Sequence, residues 1–161
     1  MSKVIILKGL PASGKTTYAN EVLDKNFGSY KRVSKDFLRG MLDNGQFSKE
    51  AELFIQRARN LLILAALSSG EGKNVIIDDT NLNPKHEEEI RELVEGRAEV
   101  EIKYFDIDLD MCIQRNKERN MKLYSYPNPV TEKVIRESYE RWIKPEIEKR
   151  RNKNNVACDK T

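Results

Sequence analysis

Apolar and polar positions change their period several times along the chain, and each change marks the edge of a strand or a helix. Residues 4–7, V-I-I-L, form a short apolar run of strand length, and 75–77, V-I-I, form another. Runs of this kind belong to strands covered on both faces. The pattern predicts strands at 3–8, 30–34, 73–78 and 98–106, and helices at 15–25, 36–43, 48–69, 84–95, 109–119 and 131–149. Strands separated by helices imply parallel βαβ units with right-handed crossovers, an α/β fold with helices on both faces of a parallel sheet.

Within 48–69, Ala51, Phe54, Ala58, Leu61, Leu62 and Ala65 recur at helical spacing and read as a core face, with S-S-G-E-G as a glycine stop behind them. Residues 120–130, N-M-K-L-Y-S-Y-P-N-P-V, are rich in turn formers between two helices and make a candidate mobile lid. Neither an internal repeat nor an interdomain linker is visible. Residues 1–149 therefore read as one domain. Residues 150–161 read as a basic, polar tail without hydrophobic period, frayed or cut from something longer.

Composition narrows the class more than the function. With 34% charged and 39% hydrophobic residues the chain is neither disordered nor membrane-spanning in character. The N-terminal apolar run is short and leads straight into a glycine loop, so it lacks signal-peptide architecture. Cys112 and Cys158 have no metal-ligand spacing, which fits a reduced cytoplasmic setting. A net charge of +3 does not by itself mark a nucleic-acid binder. Basic residues do concentrate at Arg115, Lys117, Arg119 and Lys122, and again at 149–154.

The most specific signal is G-L-P-A-S-G-K-T, residues 9–16, which matches G-x-x-x-x-G-K-[ST] between a predicted strand and a predicted helix. Gly9 and Gly14 permit backbone conformations that turn N–H groups inward on phosphate oxygens. Ala12, Ser13 and Thr17 complete the loop. Lys15 can reach the β- and γ-phosphates of ATP, and the Thr16 hydroxyl can ligate Mg²⁺. The sequence thus carries a nucleoside-triphosphate site.

Three further segments bear on what such a site would do. In V-S-K-D-F-L-R-G, residues 33–40, Asp36 and Arg39 lie three apart at a helix start. A carboxylate there can take the proton of an attacking hydroxyl, and a guanidinium can fork onto an anionic acceptor. Asp36 would equally serve as a helix cap. In N-V-I-I-D-D-T-N-L-N-P, residues 74–84, the strand-end aspartates resemble a Walker B carboxylate holding Mg²⁺ through water, a part open to Asp36 or Asp78. Thr80 would face the same crevice, and alternation does not decide which of Asp78 and Asp79 points inward. Arg115 and Arg119, i and i+4 before the candidate lid, can neutralise charge on a transferring phosphoryl group or form an exposed basic face. D-I-D-L-D at 106–110 is better explained by helix capping than by phosphatase chemistry, and His86 stands alone on a polar helix start.

G-L-P-A-S-G-K-T, K-D-F-L-R, D-T-N-L-N-P, Y-F-D-I and R-N-K-E-R-N, in this order, resemble the kinase domain of the bacteriophage polynucleotide 5′-kinase family over nearly the whole chain. The resemblance implies a P-loop kinase fold with an arginine-bearing lid, and transfer of the γ-phosphate of ATP to a 5′-hydroxyl end of DNA or RNA. It implies Asp36 as general base, Arg39 on the acceptor phosphate, Arg119 with Arg115 on the donor phosphates, and Asp79 and Thr80 on the acceptor side. Phe37 stands where some relatives have a second acidic residue, and Asp78 where a small polar residue is common. Some relatives continue into a 3′-phosphatase domain, and no such segment is among these 161 residues. The alternatives are a small-metabolite kinase of the same architecture, from which Arg39 is the distinguishing feature, and a nucleotide-dependent switch, which lacks a signature here.

Overall fold

Four parallel strands form one sheet in the order β2-β3-β1-β4 in the computed structural model, which describes residues 1–70, 73–122 and 129–158. The central places belong to β1 (Ser2–Gly9) and β3 (Asn74–Ile77), the two strands with continuous apolar runs. Their side chains alternate between the faces. Val4, Ile6, Val75 and Ile77 pack with Ile63 and Ala66 of α3 (Lys49–Leu67) and Ile90 of α4 (Pro84–Leu93) on one side. Ile5, Leu7 and Ile76 pack with Ala19 of α1 (Lys15–Lys25) on the other. The edge strands, β2 (Tyr30–Val33) and β4 (Ala98–Phe105), bury only alternate positions or fewer.

A third cluster closes the C-terminal end of the sheet. Leu10, Cys112, Ile113 and Ile135 are buried together, joining the loop after β1 to α5 (Leu109–Lys122) and α6 (Glu132–Ser138). α2 (Lys35–Asp43) follows β2 and packs on α3. None of the helices among the described residues is long and apolar enough to cross a membrane.

The structure corrects three sequence readings. The packed face of α3 is Ile55, Arg59, Ile63 and Ala66, not the predicted stripe. Phe54, Leu61 and Leu62 are exposed by 61%, 67% and 45%, Ala65 is exposed as well, and Ala51 and Ala58 are half-buried. Apolar residues lie around most of this helix, so two phases of the 3.6-residue period compete. The winning one includes an arginine, whose Nε and Nη2 bond Asn60 Oδ1 at 3.1 and 3.0 Å.

The helix predicted at 131–149 is interrupted by a π-helical turn at Tyr139–Ile143, and α7 (Lys144–Cys158) runs past residue 149. Pro145 supplies the reason for the interruption. It has no N–H for the Arg141 carbonyl, and its ring crowds that carbonyl, so the ladder widens and Lys144 N–H bonds Tyr139 O. The expected tail is therefore helical as far as Cys158. Of the candidate lid, Asn120 to Lys122 belong to α5, and residues 123–128 lie outside the described residues.

The α3 assignment has a direct test in denaturant unfolding. Ile63→Ala is expected to cost about 2–5 kcal/mol, the usual loss for a buried large-to-alanine change. Leu61→Ala is expected to change stability by no more than about 0.5 kcal/mol. The reverse ranking would restore the predicted face.

Candidate functional site

The sheet's parallel strands all end at one crevice of about 1140 Å³. Ala12, Ser13, Gly14, Lys15, Thr16 and Thr17 line it, as do Asp36, Arg39, Asp78, Asp79, Thr80, Arg115 and Arg119. Of the residues singled out from sequence for the site, only Gly9 is not on its wall. Gly9 lies beneath the loop, where a Cβ would come within 2.7 Å of Ser13 Oγ and 2.9 Å of Phe105 Cβ. No side chain larger than hydrogen fits there without displacing the loop.

The loop has the features of an anion cradle. Gly14, at φ +100°, caps α1 and offers no side chain to its first N–H groups, so these donors point unpaired at the crevice with the positive end of the helix dipole. Ala12 holds a left-handed φ of 62°, a cost that tight phosphate loops commonly carry. Lys15 is buried and spends its three protons on Gly9 O at 2.9 Å, Leu10 O at 2.6 Å and Ser13 Oγ at 3.3 Å. Burial pulls its pKa down to about 8, although Asp78, Asp36 and Asp79 oppose that shift.

Two adjacent aspartates after β3 reach in different directions. Asp78 Oδ2 accepts from Thr16 Oγ1 at 2.9 Å, joining the end of β3 to the first turn of α1. Burial pushes the Asp78 carboxyl above its ordinary range, against the pull of Thr16 and Lys15. Asp79 Oδ1 accepts from the Lys35 backbone N–H at 2.8 Å, which caps α2 from outside. Its Oδ2 is buried without a hydrogen-bond partner, and burial raises its pKa to about 6.

That cap changes the reading of Asp36. α2 begins at Lys35, one residue earlier than predicted, and Ser34 at its N-cap makes no side-chain cap bond. The capping task falls to Asp79, so Asp36 does not perform it. The Asp36 carboxylate is largely exposed and pairs with Arg39 Nη1 at 2.5 Å. Arg39 is held from behind by Glu52, whose Oε2 takes Nε at 2.8 Å and whose Oε1 takes Nη2 at 2.8 Å. Lys35 Nζ also reaches Glu52 Oε1, at 3.0 Å. Burial would raise the Glu52 carboxyl, but the bonds from Arg39 and Lys35 outweigh it and leave the pKa below the ordinary value. A guanidinium carries five N–H groups, and these contacts use three. Two remain for a ligand.

Across the crevice, Arg119 Nη2 donates to Asn116 Oδ1 at 2.9 Å. Asn116 and Asn120 both donate to Val130 O, at 2.7 and 2.9 Å, and so tie the chain just before α6 to α5. Asp108, not Asp110, caps α5, accepting from Asp110 N at 2.9 Å and Met111 N at 3.3 Å. The expectation of a capping role for this acidic segment holds.

Four residues of the site were missed in the sequence. Asn81, buried at φ 47°, donates to Leu7 O at 2.8 Å and latches β3 to β1. Asn116 and Asn120 both lay within the quoted motif R-N-K-E-R-N without an assigned part. Glu52 gave no local signal, since it sits thirteen residues beyond Arg39 on another helix.

The site's donor set suits ATP and a divalent cation: unpaired helix N–H groups, a lysine inside the loop, and a hydroxyl bonded to a carboxylate whose charge is poorly compensated. Among the described residues no group of three or more His, Cys, Asp or Glu side chains could hold a metal alone, so a cation here would share its coordination with phosphate oxygens.

Residues 4–145 match the family model described as AAA domain. Among curated proteins, the chain is 28% identical over 116 residues to the transcription factor bHLH140 of Arabidopsis thaliana, covering 72% of this chain and 11% of that protein. Among solved structures it resembles a chain of the Pnkp1/Rnl/Hen1 RNA repair complex, with TM-score 0.72 and 25% identity, over 85% of this chain and 42% of that one. The APS kinase CysC of Mycobacterium tuberculosis, solved with AMPPNP and APS, gives TM-score 0.54 and 19% identity over 76% of this chain and 72% of that one. That last likeness shows the fold alone. The chain spans about a tenth of the first relative and less than half of the second. The P-loop kinase fold is common to this chain and its structural neighbours.

The buried Asp79 carboxylate yields a pH-dependent prediction. The folded protein keeps its proton up to about pH 6, whereas the unfolded chain releases it near 3.8. Unfolding free energy therefore falls as pH rises through that window, and the cost is fully present above it. Asp79→Asn, which keeps the oxygen that caps α2, should stabilise the protein by about 1–3 kcal/mol at pH 7.5. The gain should vanish below pH 4. Urea unfolding from pH 4 to 8 checks this, and a gain independent of pH would place the cost elsewhere.

Proposed function

We propose, from the premise that the chain belongs to the AAA domain family, that it is an ATP-dependent polynucleotide 5′-hydroxyl kinase acting on DNA or RNA ends. The observation that carries the reading is the Asp36–Arg39 pair on the crevice wall facing the phosphate loop. With α2 capped by Asp79, the Asp36 carboxylate is left with no structural task beyond its pairing to Arg39. The likeness to a chain of an RNA repair complex supports the same substrate class.

ATP would supply the γ-phosphoryl group and leave as ADP when its β–γ bridge breaks, and Mg²⁺ would supply positive charge that offsets the charge on the phosphates. Thr16 and Asp78, joined by their hydrogen bond, would hold the cation. Asp36 orients the acceptor hydroxyl and takes its proton as the oxygen attacks. Arg39, fixed by Glu52, offers its two remaining N–H groups to the phosphate on the 3′ side of the reacting nucleoside. Lys15 turns its ammonium from the loop carbonyls onto the donor phosphates. Arg119, with Arg115 in support, neutralises charge on the transferring group.

The test is incubation with a γ-labelled donor and a panel of acceptors: 5′-hydroxyl DNA, 5′-hydroxyl RNA, single 3′-nucleotides, a sugar acid and an adenylyl sulfate. Label on the nucleic-acid ends supports the reading. Label confined to a small metabolite would replace it with a metabolite kinase.

Asp36→Asn is expected to reduce phosphoryl transfer by ~10²–10⁴ while ATP binding stays near normal, because a general base acts in the transition state. Full turnover in that variant would sink the mechanism. Arg119→Ala is expected to depress the maximal rate more than it raises the KM for ATP, since its charge is needed most at the transition state. Arg119→Lys should rescue poorly, because an ammonium lacks the planar fork. Steady-state kinetics with a saturating 5′-hydroxyl oligonucleotide separates these effects.

A further inference from the structure

Two phenylalanines flank the Asp36–Arg39 pair on the crevice wall, and neither is accounted for by packing. Phe37 is 48% exposed and Phe47 62% exposed. Their surroundings differ. Phe37 carries the Arg32 guanidinium over its ring at 4.5 Å, and Arg32 is itself bonded to Asn20 of α1, so one face of that ring is covered. Phe47 has the Arg39 guanidinium over its ring at the longer distance of 5.8 Å, and it is the more exposed ring of the two.

The backbone that presents Phe47 is fixed on both sides. Asn44 ends α2 in a left-handed conformation at φ 51°, and Gly45 continues it at 75°. Gly45 N–H bonds Arg39 O at 2.9 Å, and Gln46 N–H bonds Asp43 O at 3.0 Å. On the other side Ser48 caps α3 through Ala51 N–H at 3.0 Å. The ring thus projects from a short, hydrogen-bonded connection between two helices, beside the cation assigned to the acceptor's phosphate. Every base has a π-face, and an exposed aromatic beside a basic group is how proteins hold single-stranded nucleic acid without reading its sequence.

We propose that Phe47 is the stacking platform for a nucleobase at the 5′ end of the acceptor, one sugar away from the phosphate held by Arg39. The inference rests on the polynucleotide kinase reading and deepens it. The base must be free of its duplex partner to lie on the ring, so the site favours single-stranded or frayed 5′ ends. Acceptors without a base gain nothing from it.

The test compares 5′-hydroxyl oligonucleotides that differ only in having normal or abasic sites at the first two positions, with wild-type protein and with Phe47→Ala, Phe47→Trp and Phe27→Ala. Phe27 is 96% exposed and away from the crevice, so its variant controls for loss of a surface ring. Wild type should lose about tenfold in kcat/KM when the bases are removed, within the range of stacking effects seen by alanine substitution. Phe47→Ala should lose the same factor on the normal oligonucleotide and become indifferent to the abasic change. Its KM for ATP should not move. Phe47→Trp should restore the preference, and Phe27→Ala should behave as wild type. Equal use of normal and abasic ends by the wild type, with phosphorylation otherwise intact, would overturn the stacking role and leave the kinase reading standing. A preference retained by Phe47→Ala would place the platform on another residue. Failure to label any oligonucleotide would overturn both.

Discussion

The chain's exit from β3 is the constraint on which the rest of the site depends. Four consecutive residues there grip three different elements, α1, α2 and β1. Asp78 bonds Thr16 at the start of α1, and Asp79 caps α2 through Lys35 N–H. Thr80 O accepts the Gly9 N–H at 3.1 Å, and the Asn81 amide holds Leu7 O at 2.8 Å. Successive residues in an extended chain point to opposite sides, so a pair of aspartates can serve the phosphate loop and the helix of Asp36 at once. The distance between those two elements is set by one peptide unit rather than by the packing of a flexible loop.

This economy concentrates charge. Asp36, Asp78 and Asp79 share the crevice with Lys15 and Arg39, and burial shifts the proton affinity of the members it covers. Desolvation raises both strand-end carboxyls and lowers the lysine. A core made only for stability would not leave Asp79 Oδ2 buried and unpaired. Groups perturbed by burial and by one another, gathered in a cleft, are what a site for a polyanion and a cation requires.

Much of this was legible because the informative motifs are local. A phosphate loop needs its glycines and lysine at fixed spacing, and the strand-end aspartates announce themselves by following an apolar run. What the sequence hid was long-range or ambiguous. Glu52 acts on Arg39 from a neighbouring helix, and nothing within a turn of either residue reveals the pairing. The face of α3 was misread because an arginine, Arg59, lies on the buried side while leucines and a phenylalanine lie outside. Asn81 stood in plain view inside a motif, but its task, a side-chain bond to the neighbouring strand at a left-handed backbone position, depends on the sheet order. The break at Tyr139–Ile143 did have a signal, Pro145, which the helical period concealed.

The two halves of the crevice differ in how far their groups are already placed. On the acceptor side Arg39 is clamped by Glu52 in two parallel bonds, with two N–H groups to spare. Under the proposed reading it meets a phosphate without reorganising, and little is lost in ordering it. On the phosphate-loop side Lys15 has all three protons committed to the loop, and under the same reading it would exchange carbonyl partners for phosphate oxygens. That exchange trades neutral acceptors for charged ones, and charge-assisted bonds are roughly twice as strong. Negative phosphate oxygens beside the ammonium would favour the proton that burial had weakened. Under that reading triphosphate binding and protonation of Lys15 would reinforce each other, the loop's carbonyl bonds holding the ammonium inside the cradle until a stronger acceptor takes it.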